Sequence, residues 1–249
     1  MPNAAVLLLL GLIVGMVLGL LGGGGGVVAV PLLVAAGLAL PEAQGASLLV
    51  VLLGSLTALV LHHRAGQVDW RLGLTFGGLG TLGSLAGARL SLGLPVRGQL
   101  AGFALLLILA AAAMVRRSSG AVPDETPAAN HTWPRVIALA TGVGLTTGFF
   151  GVGGGFIAVP AMTAALKIPV KRAGATALVV IAINTTVALF ARIDHLPTAR
   201  TMAYLAITAM AGSVIGAVGA RRVSAGALKR GFALLCLVAA IYSLAKALG

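Results

Sequence analysis

The sequence predicts an all-α polytopic membrane protein built as two inverted repeats, each with three spanning helices plus a glycine-broken helical hairpin. Three observations predict this class. The apolar content is too high for water to solvate, one glycine motif occurs twice at a fixed spacing, and the cations divide between loops as a hairpin requires.

The chain has 249 residues, of which 59% are apolar and only 9% charged. A soluble domain carries about 25% charged residues, so lipid is the expected solvent. The net charge of +12 comes from 17 Lys and Arg against 5 Asp and Glu. The cations lie between apolar runs, where cytoplasmic loops of membrane proteins collect them. No basic patch interleaved with aromatics accompanies them, so nucleic acid is not an expected partner. The single cysteine, Cys236, excludes an internal disulfide framework and a cysteine metal site. Neither a metal nor a cofactor is expected. No Lys or Arg precedes Arg64, so the first apolar run is expected to stay in the mature protein rather than leave as a signal peptide.

Charges and prolines cut the chain into apolar runs at 4–40, 46–61, 72–92, 100–115, 136–166, 175–191, 202–220 and 232–248. Most approach the roughly 20 residues that cross a bilayer as a helix. The runs 4–40 and 136–166 are too long for one span, and each carries a glycine cluster near its middle. A polar stretch at 116–134, with three prolines, Asp124, Glu125, Asn130 and His131, separates a first repeat at 1–115 from a second at 135–249.

The two parts align. Residues 19–31 (GLLGGGGGVVAVP) match residues 148–160 (GFFGVGGGFIAVP), so position 148 falls on position 19 at an offset of 129 residues. Allowing one compensated gap near Pro41 and Pro169, the offset recurs downstream. Gly45 and Ser47 fall on Gly174 and Thr176, and Ser55 and Thr57 on Asn184 and Thr186. Gly83, Ser84 and Gly87 fall on Gly212, Ser213 and Gly216, and GFAL at 102–105 falls on GFAL at 231–234. Such internal duplication is the usual build of secondary transporters.

Topology follows from the cations. If run 4–40 crosses once, Lys and Arg divide 8 to 9 between the two sides. Suppose instead that each glycine-broken run returns to its starting side. One side then holds Arg64, Arg71, Arg116, Arg117, Arg135, Lys167, Lys171, Arg172, Arg221, Arg222, Lys229 and Arg230, and the sides divide 12 to 5. The positive-inside rule favours the hairpin. Each half then has three spans, the halves insert with opposite orientation, and both termini lie outside the cytoplasm.

The expected substrate-binding residues start with the breaks themselves: Gly23, Gly24, Gly25 and Gly26 in the first half, and Gly153, Gly154 and Gly155 in the second. Glycine inside a helix costs about 1 kcal/mol relative to Ala, so a run of it marks an intended break. Such a break is tolerated in a bilayer only where protein or a wet cavity surrounds it. Apolar helix-forming residues follow each cluster, so a half-helix is expected to start there. Its unpaired N–H groups and positive dipole end would lie near mid-depth and suit an anion. The spacings Gly15/Gly19, Gly83/Gly87 and Gly212/Gly216 read instead as helix-packing seams. Polar residues shared between the repeats add Ser47, Ser55, Thr57, Thr176, Asn184 and Thr186, with Asn184 the sharpest ligand-facing candidate. For any one hydroxyl, a bond to its own helix backbone is the ordinary alternative. No Asp or Glu lies inside a span, which suits an anion and argues against a cation pump. His62 and His63 end a span and read as interfacial. With no His-Glu-x-x-His and no acid–base pair within a span, no catalytic residue is expected.

These motifs resemble the TauE/SafE sulfite-exporter family of bacterial membrane proteins. The carriers are the paired elements 19–31 and 148–160, with the segment Arg64-Ala-Gly66-Gln-Val-Asp69-Trp70 after the second span. The second half departs at Val152, which replaces a glycine, and at Asp194 and His195, which stand where Ala65 and Gly66 stand. The resemblance implies a multi-pass protein of the bacterial inner (plasma) membrane. Its expected partners are the lipid bilayer and a small anionic substrate: sulfite, an organosulfonate or a related sulfur-containing anion. The expected function is therefore a secondary anion transporter, an exporter by family likeness. A passive anion channel is the alternative, and an intramembrane enzyme a more distant one.

Overall fold

A computed structural model describes residues 3–22, 25–116, 133–166, 168–220 and 222–248. Gly23 and Gly24, most of the 116–134 linker, and the loop cations Arg117, Lys167 and Arg221 lie outside the described residues.

The described chain is helical throughout. In order, the helices are α1 (Ala4–Leu21), α2 (Gly25–Ala35), α3 (Leu40–Arg64), α4 (Trp70–Leu92), α5 (Val96–Arg116), α6 (Trp133–Phe150), α7 (Gly155–Pro160), α8 (Val170–Phe190), α9 (Ala199–Ala220) and α10 (Ala225–Leu248). A π-helical turn, Ala161–Ala165, extends α7, and a 3-10 turn, Ile193–His195, precedes α9. Among the described residues, six helices are long and apolar enough to cross a bilayer: α1, α3, α5, α8, α9 and α10. Helix α4 has 23 residues, but its glycines dilute its hydropathy.

Each long glycine-bearing run is broken where its glycines cluster, giving the pairs α1/α2 and α6/α7. The arms are unequal. Helix α1 has 18 residues and α2 only 11; at 1.5 Å per residue α1 is about 27 Å long. The break follows a helix of nearly full span length rather than dividing the run into equal halves.

Packing repeats when the two parts of the chain are exchanged. Helix α1 packs on α9 as α6 packs on α4, and α3 packs on α9 as α8 packs on α4. The pairs α3/α8 and α5/α10 correspond to themselves. The first two contacts are glycine seams between helices that run the same way. Gly11, Gly15 and Gly19 climb along Leu205, Ala209 and Ser213, and Gly144 and Gly148 climb along Gly80 and Ser84. In lipid no hydrophobic force pushes helices together, so close backbone approach over small residues supplies the attraction.

The outward faces are apolar. Leu82 is 78% exposed, Phe190 71% and Ile241 69%. Water does not tolerate such a surface over a whole molecule, whereas acyl chains match it. The interior is filled by Val51, Phe156, Met162, Leu178 and Ile181, all nearly inaccessible.

A side chain at Gly15 would collide with the Ala209 backbone, whereas one at Gly78 meets nothing within 4 Å. Gly15→Val is expected to destabilise by about 1–3 kcal/mol, the usual range for overpacking. Gly78→Val should change stability by less than about 0.5 kcal/mol. Thermal melts of the two purified variants in detergent check the contrast.

Candidate functional site

The site begins where α1 and α6 end. Gly22 stops α1 in the left-handed region, at φ 71°, with its N–H donating to the Leu18 carbonyl at 2.8 Å. Gly151, its counterpart at the offset of 129, ends α6 at φ 66° and donates to the Thr147 carbonyl at 3.0 Å. A residue with a Cβ costs about 1–2 kcal/mol in this region. Each tip also reaches into the other half. Gly22 abuts Gly174, one turn into α8, and Gly151 abuts Gln44, one turn into α3.

After the tips the two breaks meet. A Cβ at Gly26 would fall inside the Val152 carbonyl, and one at Gly153 would strike Val51. Val51 and Ile181, which flank this junction, lie on the middle turns of α3 and α8. Gly25, Gly26, Gly153, Gly154 and Gly155 are all buried. The start of α2 and the start of α7 thus lie inside protein at the level of the mid-helix turns, and the N–H groups of a first helical turn have no intrahelical acceptor.

A cavity lies at each end of α3. The larger, with about 440 Å³ of empty space counting its open mouth, is lined by Gly22, His62, Gln67, Lys171, Gly174 and Phe232 among others. The smaller, about 190 Å³, is lined by Val30, Gln44, Gln99, Leu100, Phe103 and Phe150 with Leu40. The two linings are related by the repeat. Val30 corresponds to Val159, Gln99 to Leu228, Phe103 to Phe232 and Leu21 to Phe150, and in each of these four pairs one residue lines one cavity and its counterpart lines the other. Gln44 and His62, one from each lining, are 18 positions apart on α3, about 27 Å along its axis. The packed glycine junction lies between these levels.

A basic side chain caps each tip. His62 places Nε2 3.3 Å from the Gly19 carbonyl oxygen and Nδ1 2.8 Å from Gln67 Oε1. In the other half, Arg192 Nη2 donates to the carbonyl oxygens of Gly148 (3.1 Å) and Phe149 (3.2 Å). Gly19 and Gly148 are counterparts at the offset of 129. A basic group at a helix C-terminus meets the negative end of the dipole and the carbonyls left without donors.

Arg192 is only 1% exposed. Its Nη1 donates to Gln44 Oε1 at 2.7 Å, and Nη2 also donates to Ser91 Oγ. Gln44 Nε2 donates to Gln99 Oε1 at 3.0 Å, and Gln99 Nε2 donates to the Ser91 and Leu94 carbonyls at 2.7 and 3.0 Å. Burial lowers the pKa of the guanidinium to about 10, so it stays charged at neutral pH.

The sequence-predicted polar residues stand elsewhere. Ser55 and Thr57 donate to the Leu52 and Leu53 carbonyls at 2.8 Å, and Thr186 to the Ala182 carbonyl at 2.7 Å. Thr176 accepts from the Asp69 N–H at 3.0 Å, tying α8 to the α3–α4 loop. Ser47 Oγ and both amide atoms of Asn184 are buried without partners. The Asn184 amide lies against Gly80. None of these six residues lines either cavity. The structure brings the break glycines together against Val51 and Ile181, and Ser47 and Asn184 lie one helical turn from those two residues on α3 and α8.

Two side chains differ from the sequence expectation. His63 is exposed and accepts from Trp70 Nε1 at 3.0 Å, as an interfacial residue can, but His62 turns inward and is buried. Arg192 lies in the turn after α8, but its side chain is buried, so the exposed cations of the poorer side are Arg89, Arg97, Arg200 and Lys246. Sequence reasoning passed over Arg192, Gln44 and Gln99. The repeat held the signal for Arg192: subtracting the offset of 129 puts it on His63, beside His62.

Comparison with known proteins places the chain. The family described as "Sulfite exporter TauE/SafE" matches residues 7–243. A "Probable membrane transporter protein" of Xylella fastidiosa (strain 9a5c) is 34% identical over 241 residues, covering 92% of this chain and 90% of the relative. The "Probable membrane transporter protein YunE" of Bacillus subtilis (strain 168) is 29% identical over 203 residues, covering 72% of this chain and 74% of that protein. No solved structure matches. The chain is a membrane transporter rather than an enzyme, and it belongs to the sulfite exporter TauE/SafE family.

Proposed function

We propose that this protein is a secondary transporter that exports sulfite, organosulfonates or related sulfur-containing anions by alternating access between two inverted repeats, 1–115 and 135–249. The observation that carries the reading is the pair of repeat-related cavities, one larger and open, one smaller, with the packed glycine junction between their levels. Alternating access needs such a septum; a passive channel needs a continuous path. Helix directions support the inversion. Helices α1 and α9 climb together, as do α6 and α4, while the five-residue turn Ala65–Asp69 reverses α3 into α4. Each half then runs opposite to the other.

The protein works in the bacterial inner membrane with both termini outside the cytoplasm, the cation-rich loops facing in. The larger cavity lies at the end of α3 next to Lys171 and thus faces the cytoplasm, as loading for export requires. Binding uses the break glycines Gly23 to Gly26 and Gly153 to Gly155, whose half-helix starts favour negative charge. Among the spanning helices the one carboxylate is Glu42, exposed on the first turn of α3, and an interior without carboxylates supports an anion.

Purified protein in proteoliposomes is expected to show saturable sulfite flux with counter-flow; flux linear in concentration would point to a channel. Gly25→Leu and Gly154→Leu should reduce that flux at least tenfold while inserting normally. A Cβ at Gly25 lies 2.6 Å from the Leu18 Cβ, and Gly154 sits at φ 60°. Near-normal flux in either variant would remove the junction from the mechanism.

Asn184 and Ser84 give a second test. Ser84 Oγ already donates to the Asn184 carbonyl at 2.7 Å, whereas the Asn184 amide has no partner. Asn184→Leu is expected to weaken sulfite binding more than Ser84→Leu does, measured by calorimetry. Equal effects would make Asn184 a packing residue.

A further inference from the structure

A buried guanidinium normally faces a carboxylate, because an unpaired charge away from water is costly. Arg192 does not. Its partners are Gln44 Oε1, Ser91 Oγ and the carbonyls of Gly148 and Phe149, all neutral. Among the described residues no carboxylate bonds to it, and Asp194, two positions on, is exposed. Its Nε is buried with no partner at all. Capping the end of α6 accounts for Nη2 but leaves the net charge without a counter-ion and Nε without an acceptor.

Both missing elements are what an oxyanion supplies. Gln44 and Gln99, whose side chains position the guanidinium and each other, line the smaller cavity. The Gln44 amide keeps one N–H beyond its bond to Gln99, and the Gln99 amide, bonded to the Ser91 and Leu94 carbonyls, holds Gln44 beside a planar cationic fork. That combination recognises –SO3⁻ or –CO2⁻ groups through paired hydrogen bonds better than an ammonium does. The opposite cavity has Leu228 where this one has Gln99, so the polar lining is not inherited from the repeat.

We propose that Arg192, with the Gln44 and Gln99 amides, forms an oxyanion-binding site at the smaller cavity, and that the transported anion takes it as its counter-ion on the way out. This deepens the anion-transport reading and rests on it. In the conformation described, Gln44 Oε1 and Ser91 Oγ occupy guanidinium donors, and the Ser91 and Leu94 carbonyls occupy the Gln99 amide. Opening of the smaller cavity exchanges them for the oxygens of the anion.

The test is calorimetric binding of sodium sulfite and of methanesulfonate to the purified chain, with dimethyl sulfone as a neutral analogue. The wild type is expected to bind both anions and not the sulfone. Arg192→Lys keeps the charge but loses the fork, and should raise the Kd about 10-fold. Arg192→Gln should raise it about 100-fold, or about 2.8 kcal/mol at 1.4 kcal/mol per tenfold. Gln99→Leu, which leaves Arg192 in place, should raise it about 10-fold. Melting temperatures without ligand are measured in parallel. A purely structural cap lowers them and leaves Kd unchanged, and that result overturns the proposal. If Arg192→Gln does not fold, the Lys and Leu variants decide, and a wild-type Kd in both overturns it. A wild type that binds neither anion overturns the anion-transport reading along with the site.

Discussion

Inside a bilayer an unpartnered peptide group costs several kcal/mol, so a broken backbone must be enclosed by protein. This chain breaks twice, at Gly22 and at Gly151, and the rest of the fold answers to that constraint. The breaks enclose each other, with the Gly26 backbone against the Val152 carbonyl and Gly153 against Val51. Such contact requires helices that approach without side chains between them, and the seams of α1 on α9 and of α6 on α4 supply that approach. The apolar faces of α5, α9 and α10 remain turned to the outside.

The same breaks leave helix ends within protein. Each first arm ends in carbonyls without donors, and each receives a basic side chain: His62 at Gly19, Arg192 at Gly148. The halves are not equivalent here. A histidine beside an open cavity contacts one tip, and an arginine in a four-residue polar network contacts the other. In the proposed cycle, two states that differ in caps differ in energy, so the second half's Arg192 and Val152 set a preference that a perfect repeat would lack.

Much of the architecture was legible before any coordinates. The apolar runs and the two GxxGxGGG elements gave away the helices and both breaks, because in lipid a glycine run has few other uses. Gly15/Gly19, Gly83/Gly87 and Gly212/Gly216 were readable as seams from their spacing alone, and each abuts a partner backbone. The polar side chains were less legible. A hydroxyl such as Thr57 or Thr186 has an acceptor on its own helix one turn back, so its presence says little about a ligand. Arg192 follows the end of α8, and position at a span end does not reveal whether a long side chain turns toward water or inward. Gln44 and Gln99 are 55 positions apart, and only the folded chain joins them.

The central claim is that two repeat-related cavities on opposite sides of the glycine junction open in turn. Leu21 lines one and its counterpart Phe150 the other. The direct measurement is reaction of Leu21→Cys and Phe150→Cys, with Cys236 replaced, toward a membrane-impermeant maleimide added from each side, with and without sulfite. The account predicts that Leu21→Cys reacts only from the cation-rich side and Phe150→Cys only from the other, each rate rising as its counterpart falls. Full reaction of both positions from one side would contradict it.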